Sequence, residues 1–141
     1  MKGITLEEFN ELMAREMPWA TNAGLVIEKL DHGTARVRLP FSSDSLRPGG
    51  TLSGPSMMML ADTCMYAVVL SVLGSVELAV TTNFNINFLR KPDKSDIVSH
   101  GRLLKLGRRL AVIEVTLNSL GMNELVAHAT GTYSIPPTLK T

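Results

Sequence analysis

Hydrophobic positions along this chain follow three rhythms, and each predicts a different element. In the first, Phe9, Leu12 and Met13 recur at helical spacing. Thr5 precedes them as an N-cap with Glu8 as its capping-box partner, so a short amphipathic helix is expected over 5–16 and Pro18 should stop it. Trp19 then falls in an expected loop, as a core contact or as one wall of a pocket.

The second rhythm is period two. Residues 25–30 and 34–39 flank Asp31-His32-Gly33, and Ala35, Val37 and Leu39 alternate with polar residues, which predicts a β-hairpin. Residues 77–89 read as a strand with Val80, Thr82, Phe84, Ile86 and Phe88 on one face. Thr81, Asn83, Asn85 and Asn87 fall on the other. Further strands are expected over 97–106, 110–118 and 124–135, separated by polar turns and ended by Pro136-Pro137.

The third rhythm is no rhythm. From Gly54 to Gly74 the chain reads GPSMMMLADTCMYAVVLSVLG, apolar on every side of a helical wheel. Such a helix is buried all round or lies in a membrane. Ser53 or Gly54 can cap it, Pro55 suits its first turn, and Gly74 suits its end. A single acid, Asp62, sits in its first half, and a carboxylate in apolar surroundings is costly unless something holds it.

The predicted layout is helix, two strands, long buried helix, four mostly antiparallel strands. That is an α+β class, one sheet curled around a central helix. One sheet cannot easily bury such a helix on all sides, which points to a second subunit.

Composition narrows the function classes. The 141 residues suit one domain spanning 1–141. Charged residues at 19% and hydrophobic ones at 45% exclude a disordered chain, and a net charge of +1 argues against bulk attraction to nucleic acid. A single cysteine rules out a disulfide framework and fits a reducing, cytoplasmic setting. The acidic N-terminal segment offers no secretion signal. An aspartate at mid-helix costs about 2.5–3.5 kcal/mol on insertion, so a soluble core helix is expected and not a membrane span. His100 and His128 have no partner at ligand spacing, so neither a metal nor another cofactor is expected. The chain carries no serine elbow and no phosphate-binding glycine loop.

Four segments carry a resemblance. Gly54-Pro-Ser-Met-Met-Met-Leu-Ala-Asp-Thr63, residues 82–92 (TNFNINFLRKP), 107–115 (GRRLAVIEV) and 129–133 (ATGTY) together resemble the hotdog-fold acyl-CoA thioesterases. The branch it resembles is the phenylacetic-acid-degradation type, relatives of the 4-hydroxybenzoyl-CoA thioesterases. The resemblance covers roughly residues 24–136. It implies a hotdog fold, a homodimer whose sheets join, often a dimer of dimers, and acyl-CoA hydrolysis at the dimer interface. It also implies that Asp62 is the base or nucleophile and that the Gly54 N–H polarises the thioester carbonyl. The branch commonly enters this helix with His-Gly-Gly; here Ser53-Gly54-Pro55 stands in that place, and Arg47 upstream lies about where an amide side chain is common.

Residue chemistry adds candidates. Thioester hydrolysis needs an activator or nucleophile and a group to stabilise the oxyanion, which Asp62 and the start of the long helix can supply. Gly54 and Asp62 are eight positions apart, about 12 Å along one helix, too far to act on one carbonyl. Two antiparallel copies would solve this, each offering Gly54 to the other's Asp62. Thr63 could hold the attacking water or bond back to its own helix. Tyr66, one turn after Asp62, could touch the acid or line an acyl pocket. Met57, Met58, Met59 and Met65 are core or a flexible acyl wall. Arg90, Lys91, Arg108 and Arg109 are candidates for the CoA phosphates, or solvated turn charges. The rival readings are a non-catalytic acyl-CoA-binding hotdog protein and a hotdog dehydratase, which needs a histidine that does not enter this helix.

Overall fold

A computed structural model describes residues 3–42, 49–74 and 79–137. Two short helices come first, α1 (Leu6–Glu16) and α2 (Pro18–Asn22). The hairpin β1 (Val26–Asp31) and β2 (Thr34–Leu39) follows, then the long helix α3 (Gly54–Leu73). Four strands complete the chain: β3 (Val80–Phe88), β4 (Ile97–Leu106), β5 (Leu110–Ser119) and β6 (Leu125–Ser134). The Thr5–Glu8 capping box forms as the sequence predicts. Pro18 ends α1 and also opens α2, so Trp19 lies on a short helix and not in a loop. Arg47 lies outside the described residues.

All six strands form one antiparallel sheet in the order β1-β2-β4-β5-β6-β3, curled around α3. This is the hotdog architecture that the resemblance implies. β5 shows why the sheet holds the helix: Ala111, Ile113, Val115 and Leu117 point inward and are fully buried, and their neighbours face out. Burial by the sheet accounts for the greasy wheel of α3, on which Met57, Leu60, Ala61 and nearly every residue from Thr63 to Val72 are buried. Cys64 is among them, and burial pushes its thiol pKa up to about 12, so it remains an inert core thiol. The sheet approaches the helix most closely where it has no side chain. A Cβ at Gly101 would lie 2.8 Å from Cys64 Sγ and 2.9 Å from Val68 Cγ2.

Two features of β3 lie outside what the sequence reading specified. First, β3 does not pair with β4, its neighbour in sequence, but crosses to the far edge beside β6. Consecutive strands neighbour one another only about two-thirds of the time, and local pattern does not encode the exceptions. Second, β3 carries a bulge. Thr81 pairs with Tyr133 and Asn83 with Thr132, so Thr82 is the extra residue. The bulge inverts the phase: Thr81, expected on the asparagine face, points to the helix with Phe84 and Ile86.

The covering of α3 is incomplete. The sheet wraps one side, and α1 and α2 close part of the other through Phe9, Leu12, Met13 and Ala20. A stripe at the start of α3 stays open: Gly54 and Asp62 are half-buried and Met58 is 40% exposed. Beside it β3 forms a free sheet edge, with Val80 and Phe88 about half exposed.

Candidate active site

Asp62 lies on α3 at the wall of a cleft of about 470 Å³. Its Oδ1 accepts a hydrogen bond from Thr81 Oγ1 at 2.9 Å and another from the Tyr133 hydroxyl at 2.7 Å. The Tyr133 oxygen also lies 3.1 Å from the Asp62 carbonyl, but with one proton to give it favours the nearer, charged acceptor. Burial, then the negative charge of Asp62, hold the Tyr133 pKa well above the usual phenol range, so it stays a donor. Oδ2 accepts no hydrogen bond, and no cation pairs with the carboxylate, among the described residues. One oxygen is fixed and the other is left for a ligand or water.

This arrangement yields a first prediction. Tyr133→Phe removes one hydrogen bond to a carboxylate, a loss of about 1.5–3 kcal/mol, while the ring still packs at 6.2 Å from Tyr66. If Asp62 works as a base or nucleophile, kcat falls roughly ten- to hundredfold with KM little changed. Steady-state kinetics measure this, and a variant with wild-type kcat would reduce Tyr133 to packing.

Thr63 and Tyr66 are both buried, and both line the Asp62 cleft. Tyr66 also meets Phe9 of α1, ring centroids 6.0 Å apart. Met57 and Met65 are core, whereas Met58 stands on the open stripe between Gly54 and Asp62. Met58 lines neither cleft.

The start of α3 builds a second cleft of about 480 Å³, lined by Gly54, Met57, Phe88, Arg90 and Lys91. Ser53 is the N-cap. Its Oγ accepts the Ser56 N–H at 3.2 Å and its carbonyl accepts the Met57 N–H at 3.0 Å. Pro55 has no N–H. The Gly54 N–H is therefore the donor of this first turn that has no partner among the described residues, at the positive end of the helix dipole. Arg90 pairs with Glu124, while Lys91 makes no ion pair among the described residues. Arg108 and Arg109 are not brought to either cleft; they line a third, beside Leu73 at the other end of α3.

Sequence reasoning missed Thr81, Tyr133 and the wall that α1 supplies, whereas Trp19, which it offered as a core contact or a pocket wall, does line the Asp62 cleft. Tyr133 had a usable signal, since it falls on the inward phase of β6 with Ala129 and Gly131. Thr81 had none, because only the bulge turns it inward.

Residues 49–126 match the family model described as the Thioesterase superfamily. A Saccharolobus solfataricus protein provisionally named an esterase is 30% identical over 133 residues, covering 94% of this chain and 86% of the relative. A solved structure from a Silicibacter species, provisionally named a thioesterase, is 44% identical. It covers 97% of this chain and 96% of that one, with a TM-score of 0.88. The phenylacetic acid degradation protein PaaI from Thermus thermophilus, solved as a point mutant, is 27% identical. It covers 84% of this chain and 99% of its own, with a TM-score of 0.75. The family match over more than half the chain, on a hotdog fold with a clamped acid on its central helix, places this protein in the Thioesterase superfamily.

Proposed function

We propose that this enzyme hydrolyses an acyl-CoA thioester to the free acid and CoA, at a site shared by two copies of the chain. Family membership makes it a thioester or ester hydrolase. The observation that carries the finer reading is the position of two unused groups on one open stripe. The backbones of Gly54 and Asp62 lie about 12 Å apart along α3, more than the aspartate side chain can span, and the two groups sit in clefts that share no lining residue. One chain cannot bring both to a single carbonyl, which needs each within about 3 Å.

A second copy related by a two-fold axis resolves the distance. Antiparallel pairing of β3 with the partner's β3 would continue the sheet, cover the exposed edge, and set the two α3 helices side by side in opposite directions. Each Asp62 then works opposite the partner's helix start. Asp62 takes a proton from the attacking water, or attacks the carbonyl carbon itself. Negative charge collects on the carbonyl oxygen, where the Gly54 N–H donates to it. Collapse breaks the C–S bond and the CoA thiolate leaves. Where Asp62 served as base, the proton it took from water passes to the thiolate. Where it attacked, the thiolate is protonated by solvent, and a water then cleaves the acyl–aspartyl anhydride to the free acid and restores the carboxylate. Arg90 and Lys91, lining the Gly54 cleft, suit the phosphates of the CoA arm.

The test is complementation. Asp62→Ala and Gly54→Pro are each inactive alone toward acyl-CoA substrates, read as thiol release. Proline fits here: Ser53 is already extended (φ −79°, ψ 160°), and a Cβ at Gly54 meets Phe88 Cζ at an ordinary 3.5 Å. Co-refolded in equal amounts, the two give half heterodimers with one intact site each, so about a quarter of wild-type activity returns. No rescue would overturn the shared site. A wild type that binds acyl-CoA without releasing thiol would leave the binding protein.

A further inference from the structure

We propose that the Asp62 cleft seats the acyl group and admits acyl groups with an uncharged end while rejecting those that end in a carboxylate. This rests on the acyl-CoA reading above and adds the substrate class to it.

The N-terminal helices supply one wall of this cleft, and α3, the start of β3 and Tyr133 of β6 supply the rest. Met13, Met17 and the buried Tyr66 line it, together with Trp19 of α2 and Val80 of β3, which are both about half exposed. These are apolar and aromatic surfaces, suited to a hydrocarbon or ring. The charges are one-sided. Asp62 lies on the inner wall and Glu16 on the rim, and no lysine, arginine or histidine lines the cleft among the described residues. Arg15 pairs with Glu16 at 3.1 Å, but both side chains are more than half exposed, so solvent screens the pair and Arg15 itself does not line the cleft.

The two clefts are thus chemically sorted. Cations line the one around Gly54, which suits phosphates, and carboxylates punctuate the apolar one around Asp62, which does not. A terminal carboxylate in the Asp62 cleft would lose water against methionine and aromatic carbon while facing two like charges.

Hexanoyl-CoA and adipoyl-CoA give a matched test, since both acyl groups have six carbons and differ at the far end by a carboxylate. We expect kcat/KM for hexanoyl-CoA to exceed that for adipoyl-CoA by at least about tenfold, and Glu16→Lys to narrow the ratio severalfold. Glu16 is exposed on the last turn of α1, so this substitution does not threaten the fold. Occupancy is read separately from turnover. Trp19 is the only tryptophan in the chain, so its emission reports on this cleft. Hexanoyl-CoA added to the Gly54→Pro protein, which keeps both carboxylates, should shift or quench it, and CoA alone or adipoyl-CoA at equal concentration should not.

Equal rates for the two thioesters, or hexanoyl-CoA bound without a change at Trp19, overturn the proposal. If the wild type cleaves no thioester, the acyl-CoA hydrolase reading fails, while the tryptophan titration still decides whether the cleft prefers the uncharged chain.

Discussion

Asp62→Asn lowers the turnover of thioester hydrolysis by at least about a hundredfold and leaves the fold intact. The substitution is nearly isosteric. The oxygen of the new amide can still accept from Thr81 and Tyr133, the two hydroxyls that hold Oδ1 now. What disappears is the negative charge and the lone pairs of Oδ2, the atom with no hydrogen-bond donor among the described residues. A base cannot take a proton, nor a nucleophile form its acyl bond, through a neutral amide nitrogen. Stability should change by no more than about 1 kcal/mol, since the charge is half-exposed and has no ion-pair partner among the described residues. Thiol release and thermal melts on the same preparation separate the outcomes. A carboxylate kept only for structure would show the reverse, near-normal turnover and a lowered melting temperature.

Gly101→Val carries the largest expected effect on stability. Gly101 faces the middle of α3, and its first added carbon already falls within 3 Å of Cys64 Sγ and Val68 Cγ2. Both neighbours are fully buried on a helix held along most of its length, so neither can step aside. Overpacking costs typically 1–3 kcal/mol, and the two further methyls of valine place this site at about 3 kcal/mol. That is a large share of the roughly 5–15 kcal/mol a domain holds in total. The melting temperature should fall by about 10 °C in calorimetry. Gly131→Ala is the milder counterpart. Its nearest neighbour at 2.5 Å is the Met65 sulfur, which can swing, although the Asn83 carbonyl at 3.2 Å sets a limit. A Gly101→Val protein that melts like wild type would mean that β4 and α3 do not meet as described.

The two predictions draw on different kinds of information. Asp62 was visible without any coordinates, because an acid in an otherwise apolar helix contradicts its surroundings. A second copy could be argued for there too, since the proposed roles of Gly54 and Asp62 sit eight helical residues apart, a distance one chain cannot close. Gly101 was not legible. A glycine in a strand pattern marks a bulge, a bend or a close approach, and only the packed helix shows which. The basic candidates divide in the same way. Composition offered Arg90, Lys91, Arg108 and Arg109 as equals, and the fold places the first two beside Gly54 and the last two at the opposite end of α3.

The sequence by itself determined what local rules govern: the capped first helix, the strands of period two, the long helix from Gly54 to Leu73, and the acid within it. Short-range periodicity and capping act over a few residues, so they are written in a few residues. Tertiary structure alone decided that β3 lies at the edge beside β6, that a bulge at Thr82 turns Thr81 inward, and that Tyr133 and Thr81 close on one carboxylate oxygen. It also decided that α1 and α2 wall the Asp62 cleft. Each of these joins residues far apart along the chain, and their pairing follows from how the whole sheet closes around its helix.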